Sequence, residues 1–114
     1  MGMPVVWFEV MGHNGDALRG FYSKMFGWEY TNMPGMDYGM VDKPEAGIPG
    51  GIGTAPEGPG WVTFYVGVTD MDAALETARS LGSTVLMAPH DLPGGGQIAM
   101  ISDPEGRPIG LARN

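Results

Sequence analysis

The chain contains no cysteine, and that one absence removes disulfides, thiolate nucleophiles and thiolate metal sites together. It fits a reducing compartment, and a cytoplasmic location is expected. Basic residues are scarce, six Lys and Arg against thirteen Asp and Glu, for a net charge of -7. Such a chain repels phosphate backbones and anionic membranes, so neither a nucleic-acid nor a membrane partner is expected. No apolar run approaches the roughly 20 residues that cross a bilayer. Met1-Gly2-Met3-Pro4 lacks the basic and apolar regions of a signal peptide, and Val6 stands where a myristoylation signal needs Ser or Thr. Charged residues are only 17% of the chain and hydrophobic ones 43%, a globular balance. At 114 residues the length suits one domain.

Within that length one pattern occurs twice. Val5-Val6-Trp7-Phe8-Glu9-Val10 is β-branched and aromatic, and it ends at Gly12-His13-Asn14-Gly15, which predicts a strand and a turn. Asn14 or Asp16 can cap a following helix, on which Leu18, Phe21, Tyr22 and Met25 form one apolar stripe before Gly27 stops it. Trp61-Val62-Thr63-Phe64-Tyr65-Val66-Gly67-Val68 begins the pattern again. Thr69, facing Asp72, reads as the cap of a second helix, with Met71, Ala74, Leu75 and Ala78 as its stripe and Gly82 as its stop. Short extended pieces follow each helix, at about 28–32, 37–41 and 50–54, then 84–87, 97–102 and 108–112. Asp103-Pro104-Glu105-Gly106 makes a turn between the last two, and residues 43–60 read as a mobile loop with a short edge strand. Each half is therefore βαβββ, the signature of an internal duplication.

This order, with Phe21-Tyr22, Phe26-Gly27-Trp28, Leu81-Gly82 and Asp103-Pro104-x-Gly106, resembles the glyoxalase and bleomycin-resistance (vicinal oxygen chelate) superfamily. Trp7-x-Glu9, Gly50-Gly51, Trp61-x-x-x-Tyr65 and Pro89-x-Asp91-Leu92-Pro93-Gly94-x-Gly96 look like its branch related to lactoylglutathione lyase. The resemblance implies an α+β fold, a single domain of modules 1–58 and 59–114 whose curved mixed sheet carries helices on its convex face and a ligand cavity on its concave one. It also implies a homodimer. Strand alternation then puts Val6, Phe8 and Val10 on the helix side and Val5, Trp7 and Glu9 on the other. By the same rule Val62, Phe64, Val66 and Val68 should meet the second helix, leaving Trp61, Thr63, Tyr65 and Gly67 for the cavity.

Metal-dependent members of this superfamily gather His, Glu or Gln from four strands around a divalent ion. The matching positions here are Val5 or Trp7, Thr63 and Gly110, and 50–54 holds no His, Asp or Glu. No metal and no cofactor is expected. A displaced site would have to draw on Glu9, His13, His90 or Asp91, but both histidines read as solvated loop residues.

Glu9 is the candidate catalytic residue, because a carboxylate among apolar strand residues is costly to bury unless it is paired or protonated. It reads either as a cation-binding group or general base, or as a structural carboxylate bonded to its neighbours. Trp7, Trp61 and Tyr65 can form a wall for a planar or cationic ligand, or simply fill the concavity. Trp28 reads as packing. The ten methionines, Met33, Met36, Met40, Met87 and Met100 among them, suit an adaptable pocket or an ordinary core. Gly94-Gly95-Gly96 is a loop rather than a phosphate cradle, since no Lys-Ser/Thr follows it. The ligand set is thus Trp7, Glu9, Trp61, Thr63 and Tyr65. Three functions remain open: a metal-free binder of a small, cationic or aromatic molecule, a lyase or isomerase-type enzyme, and an interaction module closed by a partner chain.

Overall fold

In the computed structural model, which describes residues 2–41 and 47–114, the elements run β1 (Val5–Gly12), α1 (Gly15–Phe26), β2 (Thr31–Asn32), β3 (Tyr38–Val41), β4 (Gly50–Thr54), β5 (Trp61–Gly67), α2 (Met71–Ser80), β6 (Val85–Asp91), β7 (Gln97–Ser102) and β8 (Pro108–Arg113). This is βαβββ twice, an α+β fold with parallel and antiparallel pairing. The chain divides into two compact units, Trp7–Val62 and Met1–Val6 with Thr63–Asn114. The start of β1 thus joins the C-terminal unit, where the Gly67 amide donates to the Pro4 carbonyl at 2.8 Å.

In the unit Trp7–Val62 the strand order is β2-β3-β4-β1. β4 lies between its neighbours, parallel to β1 and antiparallel to β3, so the expectation of an edge strand in 43–60 is corrected. Residues 42–46 of that stretch lie outside the described residues. Phe8 pairs with Gly50, Val10 with Ile52 and Gly39 with Ile52, which sets one face of the sheet against α1. Val10, Val41 and Ile52 form its buried core, with Phe8, Leu18, Tyr22, Trp28 and Tyr30 packed on them. Trp28 lies 5.2 Å from Phe8 and 5.8 Å from Tyr22, ring centre to ring centre, as packing requires. Only half of the expected stripe on α1 is used, since Phe21 and Met25 are 58% and 62% exposed. Asn14 caps α1 through the Ala17 amide, and Gly27 ends it at φ 76°, a left-handed conformation that glycine adopts without steric cost.

The other unit orders its strands β5-β8-β7-β6. Here the stripe on α2 holds: Met71, Leu75 and Ala78 are buried, and Ala74 packs on the cluster of Val68, Ala99 and Leu111. The cap is Asp70, whose carboxylate accepts from the Ala73 amide at 3.0 Å, not the expected Thr69. The helix begins one residue later than that reading needs, at Met71. Val66 and Val68 reach the core, but Val62 and Phe64 are 75% and 41% exposed, against expectation. α2 packs on β6, β7 and β8. His90 lies on β6, paired with Ile98, rather than in a loop, and it is exposed. The 103–106 turn forms as expected: the Gly106 amide donates to the Asp103 carbonyl, and the Asp103 carboxylate accepts from the Glu105 and Arg107 amides. Those contacts, the Arg107 amide first, hold the Asp103 carboxyl below its ordinary pKa.

Candidate functional site

On the face of β1 opposite α1 stand Trp7, Glu9 and Met11, by strand alternation. Glu9 is 8% exposed, and both its oxygens accept aromatic hydrogen bonds. The Trp61 indole N–H donates to Oε1 at 2.9 Å, and the Tyr38 hydroxyl donates to Oε2 at 3.0 Å. The Trp7 indole N–H in turn donates to the Tyr38 oxygen at 3.0 Å. These indole and hydroxyl donors fix the orientation of the carboxylate.

Tyr38 belongs to β3, two strands away from Glu9, and neighbouring strands lie about 4.8 Å apart. Its reach depends on β4. Glu9 pairs with Gly51 and Tyr38 with Gly53, so the tyrosine ring crosses β4 over two glycines. A Cβ on Gly51 would stand 1.8 Å from the Tyr38 oxygen, and one on Gly53 2.8 Å from the ring. Any larger side chain there would occupy the path of the ring. The Gly50-Gly51 pair serves both faces, since a Cβ on Gly50 would meet the Phe8 ring at 2.2 Å on the α1 side.

Behind Tyr38, on the α1 side, a second polar group is tied together. Arg19, with a side chain only 12% exposed, pairs with Asp16 at 2.7 Å and Asp37 at 2.6 Å and donates to the Ile52 carbonyl at 2.9 Å. The Thr54 hydroxyl donates to the other Asp37 oxygen at 2.5 Å and accepts from the Gly15 amide at 2.8 Å. The hydrogen bond from Thr54, then the one from Arg19, hold the Asp37 carboxyl below its ordinary pKa. Burial alone would lower the pKa of Arg19, but its hydrogen bonds to Asp37 and Asp16 prevail and raise it.

Of the five expected ligand residues, Trp7, Glu9 and Trp61 therefore come together in the unit Trp7–Val62, with Tyr38 as the member that the sequence reading lacked. The glycines at 51 and 53, alternating in a β run beside a tyrosine, are the signal that could have found it. Thr63 and Tyr65 lie in the other unit. Thr63 is 7% exposed and donates to the Pro108 carbonyl at 2.5 Å, while the ring of Tyr65, 5% exposed, covers Gly110. His13, His90 and Asp91 are exposed.

A family model described as a glyoxalase-like domain matches residues 9–112. The chain belongs to the glyoxalase-like family. This glyoxalase-like chain is 32% identical, over 92% of its length, to "Putative glyoxylase CFP32" of Mycobacterium tuberculosis, of which it covers 43%. It is 27% identical, over 98% of its length, to anthracycline biosynthesis protein DauV of a Streptomyces species, of which it covers 47%. It thus spans less than half the length of these curated relatives. Among solved structures, a glyoxalase/bleomycin resistance protein/dioxygenase superfamily member from Vibrio splendidus superposes with TM-score 0.72 and 16% identity, covering 99% of this chain and 100% of that one. Methylmalonyl-CoA epimerase from Mycobacterium tuberculosis gives 0.68 and 16%, covering 96% of this chain and 86% of that one.

Among the described residues the donors do not fit a divalent ion of the kind that the superfamily resemblance implies. Trp7, Thr63 and Gly110 offer no ligand, both Glu9 oxygens already accept hydrogen bonds, and no group of three His, Asp or Glu among the described residues is placed to share a metal.

Proposed function

We propose that this glyoxalase-like protein binds a small organic molecule, cationic and aromatic in character, at Glu9 and its aromatic frame without the metal-ligand set that the superfamily resemblance implies. The observation that supports this reading is the Glu9 carboxylate held by the Trp61 indole and the Tyr38 hydroxyl. Half-buried Trp7, Trp61 and Tyr38 offer aromatic surface to a cation, and a net charge of -7 attracts one. The relative named for anthracycline biosynthesis agrees with a small organic ligand.

Benzyltrimethylammonium, which combines a quaternary cation with one ring, is the probe. It is expected to raise the melting temperature of the chain and to lose that effect in Glu9→Gln. Stabilisation by Zn, Ni or Mn ions instead, with none from the organic cation, would sink the reading.

The contact between the Tyr38 hydroxyl and Glu9 favours a second reading, in which this pair relays a proton in an isomerase-type reaction. Deuterium uptake from D2O into a carbonyl substrate, abolished in Glu9→Gln, is its signature.

We also propose that two copies of the chain pair, since one accounts for less than half of each curated relative and leaves the apolar Val62 and Phe64 exposed.

A further inference from the structure

We infer that Asp37, locked by Arg19 and Thr54 on the α1 side of the sheet, is a positioning residue that aims Tyr38 at Glu9 on the opposite face. The inference rests on the reading of Glu9 as the centre of the site. Asp37 and Tyr38 are consecutive, so their side chains leave the backbone toward opposite faces. Fixing one fixes the direction of the other.

The lock has four parts. The Asp37 carboxylate accepts from Arg19 on one oxygen and from the Thr54 hydroxyl on the other. The Asp37 carbonyl accepts from the Thr54 amide at 3.0 Å, so β3 is held to β4 by backbone and side chain at the same residue. Arg19 is braced by Asp16 and the Ile52 carbonyl, and Thr54 by the Gly15 amide at the start of α1. A Cβ at Gly15 would come within 2.8 Å of the Thr54 oxygen and 2.9 Å of Arg19, so this packing admits only glycine there. Opposite it, Tyr38 must cross β4 and finish with its oxygen 3.0 Å from both Glu9 and Trp7. A ring lying over two glycines has no side chain on β4 to steer it. The backbone at 37–38 gives the ring its starting direction off β3, and the lock holds that backbone.

The indole N–H signals of the ¹⁵N-labelled chain report this without any ligand. Trp7 reads the Tyr38 contact, Trp61 reads Glu9, and Trp28 reads the core beneath α1. In Asp37→Asn the Trp7 signal is expected to move toward its position in Tyr38→Phe, and its hydrogen to exchange about fivefold faster, the worth of one hydrogen bond. Trp28 should stay put, and Asp37→Glu, which keeps the charge, should recover part of the shift. If Asp37→Asn unfolds the chain, Thr54→Val removes the two hydroxyl contacts of the lock, with Asp37 and with the Gly15 amide, and is read in the same way. A Trp7 signal unmoved in a folded variant, or moved no more than that of Trp28, overturns the inference. Benzyltrimethylammonium forms a separate arm. If it binds the wild-type chain, its affinity should fall several-fold in Asp37→Asn, in parallel with Tyr38→Phe; failure to bind the wild type would overturn the proposed ligand while the indole signals still decide the role of Asp37.

Discussion

A glycine can be required for two different reasons, and Gly51 and Gly60 separate them. At Gly51 the atoms nearest to an added Cβ are at the far end of the Tyr38 side chain, which can swing away. Gly51→Ala should therefore cost modest stability, on the order of 1–2 kcal/mol from lost hydrogen bonds and displaced packing, while releasing Tyr38 from Glu9 and Trp7. At Gly60 the Cβ would lie 2.1 Å from the Met11 carbonyl oxygen on a backbone at φ 85°, where neither group can yield. Gly60→Ala should cost more than Gly51→Ala in urea unfolding, yet leave the Trp7 indole signal in place if the chain folds. Asp37 makes a prediction in acid. Its carboxyl is held below the ordinary value by Thr54 and Arg19, so its contribution is complete above the unfolded pKa and is lost as pH falls through the lower, folded one. A urea titration against pH should show this acid loss, and Asp37→Asn should flatten it. That Glu9 needed partners was legible in the sequence, because a carboxylate in an apolar strand is costly to bury alone. Its partner Tyr38 was not, since that contact joins residues 29 positions apart and depends on which strand lies between them.

At the level of elements, the two helices show what periodicity can and cannot reveal. Both carry an i, i+3, i+4, i+7 apolar stripe. On α2 it is buried at Met71, Leu75 and Ala78, whereas on α1 it turns outward at Phe21 and Met25. The stripe gives a helix and its phase; how much of the stripe finds a partner depends on the sheet beneath. The βαβββ order and the strands at Gly50–Thr54 and Gln97–Ser102 were readable from turn glycines and β-branched runs. The helix cap was off by one, because Thr69 and Asp70 are both good capping residues and only the backbone decides between them. The structure gives Asp70 the contact with Ala73. Asp70→Ala is accordingly expected to cost about 1 kcal/mol and Thr69→Ala almost nothing, a contrast that thermal unfolding of the two variants resolves. The same ambiguity explains Val62 and Phe64. Strand alternation named their side of β5 but could not say which side chains on that side would be buried, and only Val66 and Val68 reach the core.

For the molecule as a whole, the decisive quantities are length, charge and exposed apolar surface. No helix among the described residues is long and apolar enough to cross a membrane, and a net charge of -7 keeps copies apart unless a specific contact overcomes the repulsion. The proposed pairing must supply such a contact. Val62 is 75% exposed and Phe64 41%, and a buried side chain of this kind is worth about 1.5–3 kcal/mol. If these residues are covered by a second copy, stability depends on concentration. Each tenfold dilution then removes about 1.4 kcal/mol, which in a domain of this size lowers the melting temperature by several degrees. Val62→Lys should abolish that dependence, because it replaces apolar contact with a charge whose burial is costly. Sedimentation should show a single chain for the variant and twice its mass for the wild type. Added salt should strengthen the wild-type pair, since screening weakens repulsion between two acidic chains while leaving apolar contact intact. A melting temperature indifferent to dilution, with one chain in sedimentation at every concentration, would leave Val62 and Phe64 as solvent-facing residues of a monomer and remove the pairing from the account of how this chain works.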